Sequence, residues 1–106
     1  MDPVRAGLLI DFYGNLLTER NRLFMDLYFS EDMSLSEIAD IEGVSRQAVH
    51  DSIHRGLLRL TQYEEKLGLV LRFLEHKKSI TTAIQLLDNH NYDDARIVMR
   101  SIIDQL

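Results

Sequence analysis

Apolar residues recur along this chain at intervals of three and four, the spacing that lines one side of a helix, and nowhere alternate in the two-residue rhythm of a strand. The pattern predicts an all-α fold of six to seven helices with no internal repeat. Its most specific stretch runs from Leu35 to Leu60. Leu35, Ile38, Ala39 and Ile41 mark the buried stripe of a short helix, and Ala48, Val49, Ile53, Leu57 and Leu60 mark that of a second. Gly43 breaks the first, and Ser45 is placed to cap the second, because its hydroxyl can accept an orphan backbone N–H. Ala39 is small where the helices must cross, Gly43 supplies the left-handed conformation of a tight turn, and Val49 closes the wedge six residues further on. These are the distances of a helix-turn-helix, with Ile38, Ala39, Gly43, Val44, Val49 and Ile53 as its core.

The flanks read as further helices. Asp2 followed by Pro3 has the form of an N-cap with proline at the first helical position, and Val4, Leu8, Ile10, Phe12 and Leu16 then supply the buried side of a helix to about residue 17. Thr18 caps the next, with Leu23, Phe24, Leu27 and Tyr28 as its stripe and Ser30-Glu31-Asp32 as its end. Ser34 stands three residues before Glu37 as a capping box for the first motif helix. Thr61 and Glu64 repeat that spacing and predict a new helix to about Glu75, bent from or continuous with the second motif helix, with Leu67, Leu71 and Leu74 on one side and Val70 and Phe73 widening it. Ser79 caps a helix to Leu87 with Ala83, Ile84 and Leu87 inward. After the loop Asp88 to Asn91, a last helix from about Asp93 carries Ala95, Val98, Met99, Ile102, Ile103 and Leu106 on one side. The expected organisation is a single helical domain over residues 1–106, with the motif core in 18–60 and the helices of 61–106 pairing two copies of the chain into a homodimer.

Composition narrows the class. The 106 residues include no cysteine, which excludes disulfides and thiolate sites and fits a reducing, cytoplasmic location. The first residues lack the basic start of a signal peptide, and no apolar run approaches a membrane span. Net charge is −5, but unevenly spread. Residues 1–44 hold three arginines against nine acids, whereas the second motif helix has Arg46, Arg55 and Arg59 with His50 and His54 against the single acid Asp51. A nucleic-acid binder draws most of its non-specific affinity from basic surface, and here that surface is one helix.

If this helix enters a major groove, its first turns do the reading. Arginine can bond guanine O6 and N7 together and glutamine adenine N6 and N7, which makes Arg46 and Gln47 the candidates for base contact, with His50 and His54 on the following turns and Arg55 and Arg59 placed for phosphates. The competing reading is the solvated side of an amphipathic helix. His50 and His54 share a side of the helix as zinc ligands do, but no third ligand accompanies them, so no metal is expected. The pairs Glu64-Glu65 and Asp93-Asp94 point about 100° apart on a helix and suit the first-turn dipole better than acid chemistry. No nucleophile, phosphate loop or catalytic constellation stands out, and neither a catalytic residue, an enzyme activity nor a cofactor is expected.

The string LTERNRLFMDLYFSEDMSLSEIADIEGVSRQAVHDSIHRGLLRL resembles region four of bacterial sigma factors, the promoter-contacting helix-turn-helix. With DFY and LL before it and QYEEKLGL after it, the chain is more closely similar to the YlxM family, over roughly residues 8–76 and on the strings SEIAD, VSRQAV and YEEKL. His50 stands where relatives tend to have tyrosine and His54 where they have lysine. The length leaves no room for the second domain of a complete sigma factor, so only the reader half is expected. The resemblance implies a DNA-binding regulator with a part in the signal recognition particle pathway, a role inferred from gene neighbourhood. The alternative is an accessory factor that binds not DNA but the protein or RNA of that particle, which the acidic first 44 residues favour.

Overall fold

The computed structural model describes every residue from Met1 to Leu106. It contains six α-helices and no strand: α1 (Pro3–Tyr13), α2 (Glu19–Phe29), α3 (Leu35–Glu42), α4 (Arg46–Leu67), α5 (Leu69–Asp88) and α6 (Tyr92–Gln105), with a 3-10 turn over Gly14–Leu16. The chain forms two compact units, Met1–Gly68 and Leu69–Leu106.

Local chemistry sets the helix starts in the first unit. Asp2 Oδ1 accepts the Val4 N–H at 3.2 Å, Thr18 Oγ1 that of Asn21 at 3.2 Å, and Ser45 Oγ that of Ala48 at 3.0 Å. Ser34 and Glu37 form the full reciprocal box, each side chain bonding the other's backbone N–H at 3.1 Å. Gly43 ends α3 at φ 67°, and the following Val44 N–H returns to Ala39 O at 3.1 Å. That left-handed residue lets the chain reverse within three residues and lays α4 across α3.

Helices α1, α2 and α3 all pack on α4. Ile38, Ala39, Val49 and Ile53 are buried at the motif's crossing, Val44 is half-buried and Gly43 is exposed at the turn. The buried side of α1 is Ala6, Leu9, Ile10 and Tyr13, which shares only Ile10 with the expected set: Val4 and Phe12 are exposed, Leu8 is half-buried, and Leu16, also expected inside, is exposed in the 3-10 turn. This helix is apolar almost all round, so its sequence fits more than one orientation. The chosen one puts small Ala6 inside and lets the Tyr13 hydroxyl donate to Glu64 Oε1 of α4 at 2.5 Å. In α2, Met25 and Asn21 are buried beside Phe24, while Leu23 and Tyr28 are exposed, and Ile41 of α3 is exposed too.

Of the two alternatives at Thr61 the continuous one holds, and the helix start expected at Ser79 does not exist. No break falls at Thr61, whose hydroxyl donates to Leu57 O at 2.8 Å inside a continuous α4 that ends only at Gly68. Ser79 lies within α5, where Thr81 and Thr82 bond back to Lys77 O and Lys78 O. A hydroxyl satisfied by the preceding turn does not interrupt a helix, which is why the cap-like spacing at Thr61 misleads.

In the second unit α5 packs against α6. His90 takes φ 59° in the short loop between them, and Ala83 and Ala95 are buried. Ile84, Leu87, Met99 and Ile103, expected inside, are exposed, and so are Leu67 of α4 and Leu71 and Leu74 of α5. No helix is long and apolar enough to cross a membrane.

Candidate nucleic-acid interface

Three small or polar residues decide how α4 is presented. Ser52 and Gly56 of α4 lie buried against α2, where Asn21 donates through Nδ2 to Ser52 O at 2.6 Å and to Ser52 Oγ at 2.9 Å. Asn21 Oδ1 is buried without a hydrogen-bond partner. Its place is taken by proximity to Gly56: a Cβ there would fall well inside van der Waals distance of both Asn21 Oδ1 and Met25 Sδ. With this side of α4 held on α2 and the side bearing Val49 and Ile53 against α3, the remaining arc is outward.

Arg46, Gln47, His50, His54, Arg55 and Arg59 are all exposed on that arc, but the geometry divides them into three groups. Arg46 and Gln47 occupy the exposed first turn, and Gln47 Nε2 donates to Asp51 Oδ1 at 2.9 Å. His50 and His54 stack with ring centroids 6.3 Å apart and planes within 2°. They border an apolar cleft of about 200 Å³ lined also by Tyr28, Phe29, Leu35 and Leu57. Arg55 and Arg59 turn the other way, into an open groove of about 460 Å³ shared with Thr18, Arg20 and Asn21 of the α2 start.

Asp51 sits between these groups. The hydrogen bond from His50, at 3.2 Å, and then the one from Gln47 hold its carboxyl below the usual carboxylate range, so the middle of the outer face carries an anion at neutral pH. Gln47 must therefore share its amide with Asp51 or release it before pairing with a base.

Arg20 was invisible to sequence reasoning. It lies 35 positions before Arg55 in an acidic stretch, and only the close approach of α2 at Gly56 brings the two into one groove. A lone glycine in the middle of an otherwise regular helical pattern was the one available signal of that approach. The histidine pair has no companions, and no group of three or more His, Asp or Glu side chains is placed to hold a metal ion.

A short helix and a long one crossed at a left-handed glycine, the second capped by serine and exposing its first turns, define a helix-turn-helix protein. The chain belongs to the UPF0122 family, whose model, described as "Putative helix-turn-helix protein, YlxM / p13 like", matches residues 2–100. It is similar to a UPF0122 protein of Desulforamulus reducens, 50% identical over 91 residues that cover 86% of this chain and 78% of the relative. A UPF0122 protein of Acetivibrio thermocellus is 46% identical over 106 residues, covering 94% and 91% of the two chains. One from Bacillus cereus is 41% identical over 100 residues, covering 92% and 91%.

Proposed function

We propose that this chain is a DNA-binding regulatory protein, without enzymatic activity, whose α4 enters the major groove by its N-terminal turns. The observation that carries the reading is the exposed start of α4, where Arg46 and Gln47 project beyond the packed helices with the basic residues of the next turns behind them. Arg46 and Gln47 contact bases, His50 and His54 line the following turns, and Arg55 and Arg59 take phosphates. The resemblance to YlxM proteins supports a part for this regulation in the signal recognition particle pathway, in the cytoplasm.

Arg46→Ala then removes a bidentate base contact, costing ~1–3 kcal/mol at the preferred site and relaxing its sequence preference. Arg55→Ala weakens every duplex alike and flattens the salt dependence by about one unit. Titration of both variants and the parent against promoter duplexes at several salt concentrations separates the two effects. Identical behaviour of the variants contradicts the assignment.

Two observations favour a second reading, the accessory factor that binds the protein or RNA of the signal recognition particle. Asp51 places a carboxylate in the middle of the outer face, and the apolar cleft beside His50 and His54 offers a seat for a protein side chain. Parallel binding assays against promoter DNA, the particle's RNA and its GTPase subunit decide between them. No duplex binding at low salt, where phosphate attraction is strongest, sinks the DNA reading.

The reader works as a homodimer paired through α5 and α6. Ile97 and Ile103 of α6 are 65% and 66% exposed, more than a 38-residue pair of helices can leave uncovered without cost. Two-fold pairing covers them and supplies two copies of α4. Light scattering on the full chain reads a dimer at micromolar concentration, and Ile97→Glu with Ile103→Glu converts it to a folded monomer. A monomeric parent rules this out.

A further inference from the structure

The groove between α2 and α4 holds three guanidinium groups, from Arg20, Arg55 and Arg59, and none of them has an ion-pair partner within 4.0 Å. In a chain with 17 acidic and 12 basic residues, three guanidiniums against the single carboxylate of Asp51 are an unusual concentration of cation. Arg20 is held by the ring of Phe24, 5.2 Å from its centroid, which fixes the guanidinium without consuming its charge. The groove also opens at the start of α2. There Thr18 accepts the Asn21 N–H and also lines the groove, so the positive end of the dipole of an 11-residue helix lies at its edge. Glu19 shares that first turn but does not line the groove. Asp51 is the one acid that does; its carboxylate is hydrogen-bonded by Gln47 and His50 and also feels the charge of Arg55.

We infer that this groove seats a backbone phosphate of duplex DNA beside the major groove that α4 reads, with Arg20 as a clamp supplied from outside the helix-turn-helix. The inference rests on the DNA-reading proposal and deepens it. Guanidinium forks match phosphate oxygens with two parallel bonds, and a seat built from two helices fixes the angle at which α4 enters. Arg20 positions the protein and carries no sequence information. Asp51 opposes the phosphate, so neutralising it strengthens binding of every sequence.

The test is fluorescence anisotropy of the full-length parent, Arg20→Ala, Arg20→Lys, Arg46→Ala and Asp51→Asn with a random-sequence DNA duplex and a preferred one, across a salt series. Arg20→Ala is expected to weaken both duplexes by the same factor and to lower the slope of log K against log salt by about one unit, with Arg20→Lys restoring most of the slope. Asp51→Asn is expected to raise the affinity for both. If Arg46→Ala weakens binding while Arg20→Ala leaves affinity and slope at the parent's values, the groove assignment is wrong and the reader stands. If the parent binds no duplex at low salt, the reader proposal fails. The Nε–H resonances of Arg20, Arg55 and Arg59 in a pyrophosphate titration then judge the groove alone: three shifts with one common midpoint support a phosphate seat, and unmoved resonances overturn it. Binding of duplex RNA alone, with loss in Arg20→Ala, overturns the assignment to DNA.

Discussion

Gly56→Val lowers the melting temperature by roughly 12–24 °C, the shift expected when about 3 kcal/mol is lost from a unit of this size at 4–8 °C per kcal/mol. Two effects combine. The new side chain meets Asn21 Oδ1 and Met25 Sδ inside contact distance, 3.2 Å from Asn21 Cγ, and overpacking of a filled core costs ~1–3 kcal/mol. Neither neighbour can move freely. Met25 is fully buried, and Asn21 is tied to Ser52 by two hydrogen bonds whose loss in a buried site costs a further ~1–3 kcal/mol. Gly56→Ala makes the same contact with one methyl, but gains ~1 kcal/mol of helix propensity, so its loss is smaller. Thermal unfolding of both variants checks the order, and parental melting for Gly56→Val means that α2 and α4 do not approach at this point.

Ala39→Leu and Gly43→Val each destabilise the motif, for different reasons. Ala39 is 5% exposed in the crossing of α3 and α4, and the added methylenes cost ~1–3 kcal/mol because Ile38, Val49 and Ile53 already fill the space. A Cβ on Gly43 meets nothing within 4 Å, so Gly43→Val pays only for its φ of 67°, about 1–2 kcal/mol. Gly43→Asn separates the causes, since asparagine tolerates the left-handed conformation better than valine and is expected to recover part of the loss in chemical denaturation. Equal losses for Gly43→Asn and Gly43→Val would show that something other than backbone conformation is at work at the turn.

The charge pattern gains meaning only once the side chains have places. By count, residues 46–59 of α4 are a positive stretch of an acidic chain, with three arginines against one acid. In three dimensions its cations serve different surfaces: Arg46 stands at the exposed tip, His50 and His54 beside an apolar cleft, and Arg55 and Arg59 in a groove completed by Arg20. A binding face drawn from α4 alone would include Asp51 as an exception and omit Arg20 altogether.

The sequence by itself determined whatever depends on residues within a few positions of one another. Caps at Asp2, Thr18, Ser34 and Ser45 act over two or three residues, Gly43 acts on its own backbone, and the Ile38, Ala39, Val49 and Ile53 stripe repeats with the helix period, so the helix-turn-helix and the all-α class were legible at once. Tertiary structure alone decided which side of α1 is buried, because Val4, Leu8 and Phe12 offered as good a stripe as Ala6, Leu9 and Tyr13 until α4 provided a partner. Thr61 and Ser79 mislead for a local reason instead: the same residue types that cap a helix also sit inside one, as where preceding-turn carbonyls satisfy Thr61, Thr81 and Thr82. The meeting of Arg20 with Arg55 and Arg59 was again decided by tertiary structure. It depends on a close helix approach permitted by Gly56 and held by Asn21 and Ser52, and no local spacing encodes a contact between residues 35 positions apart.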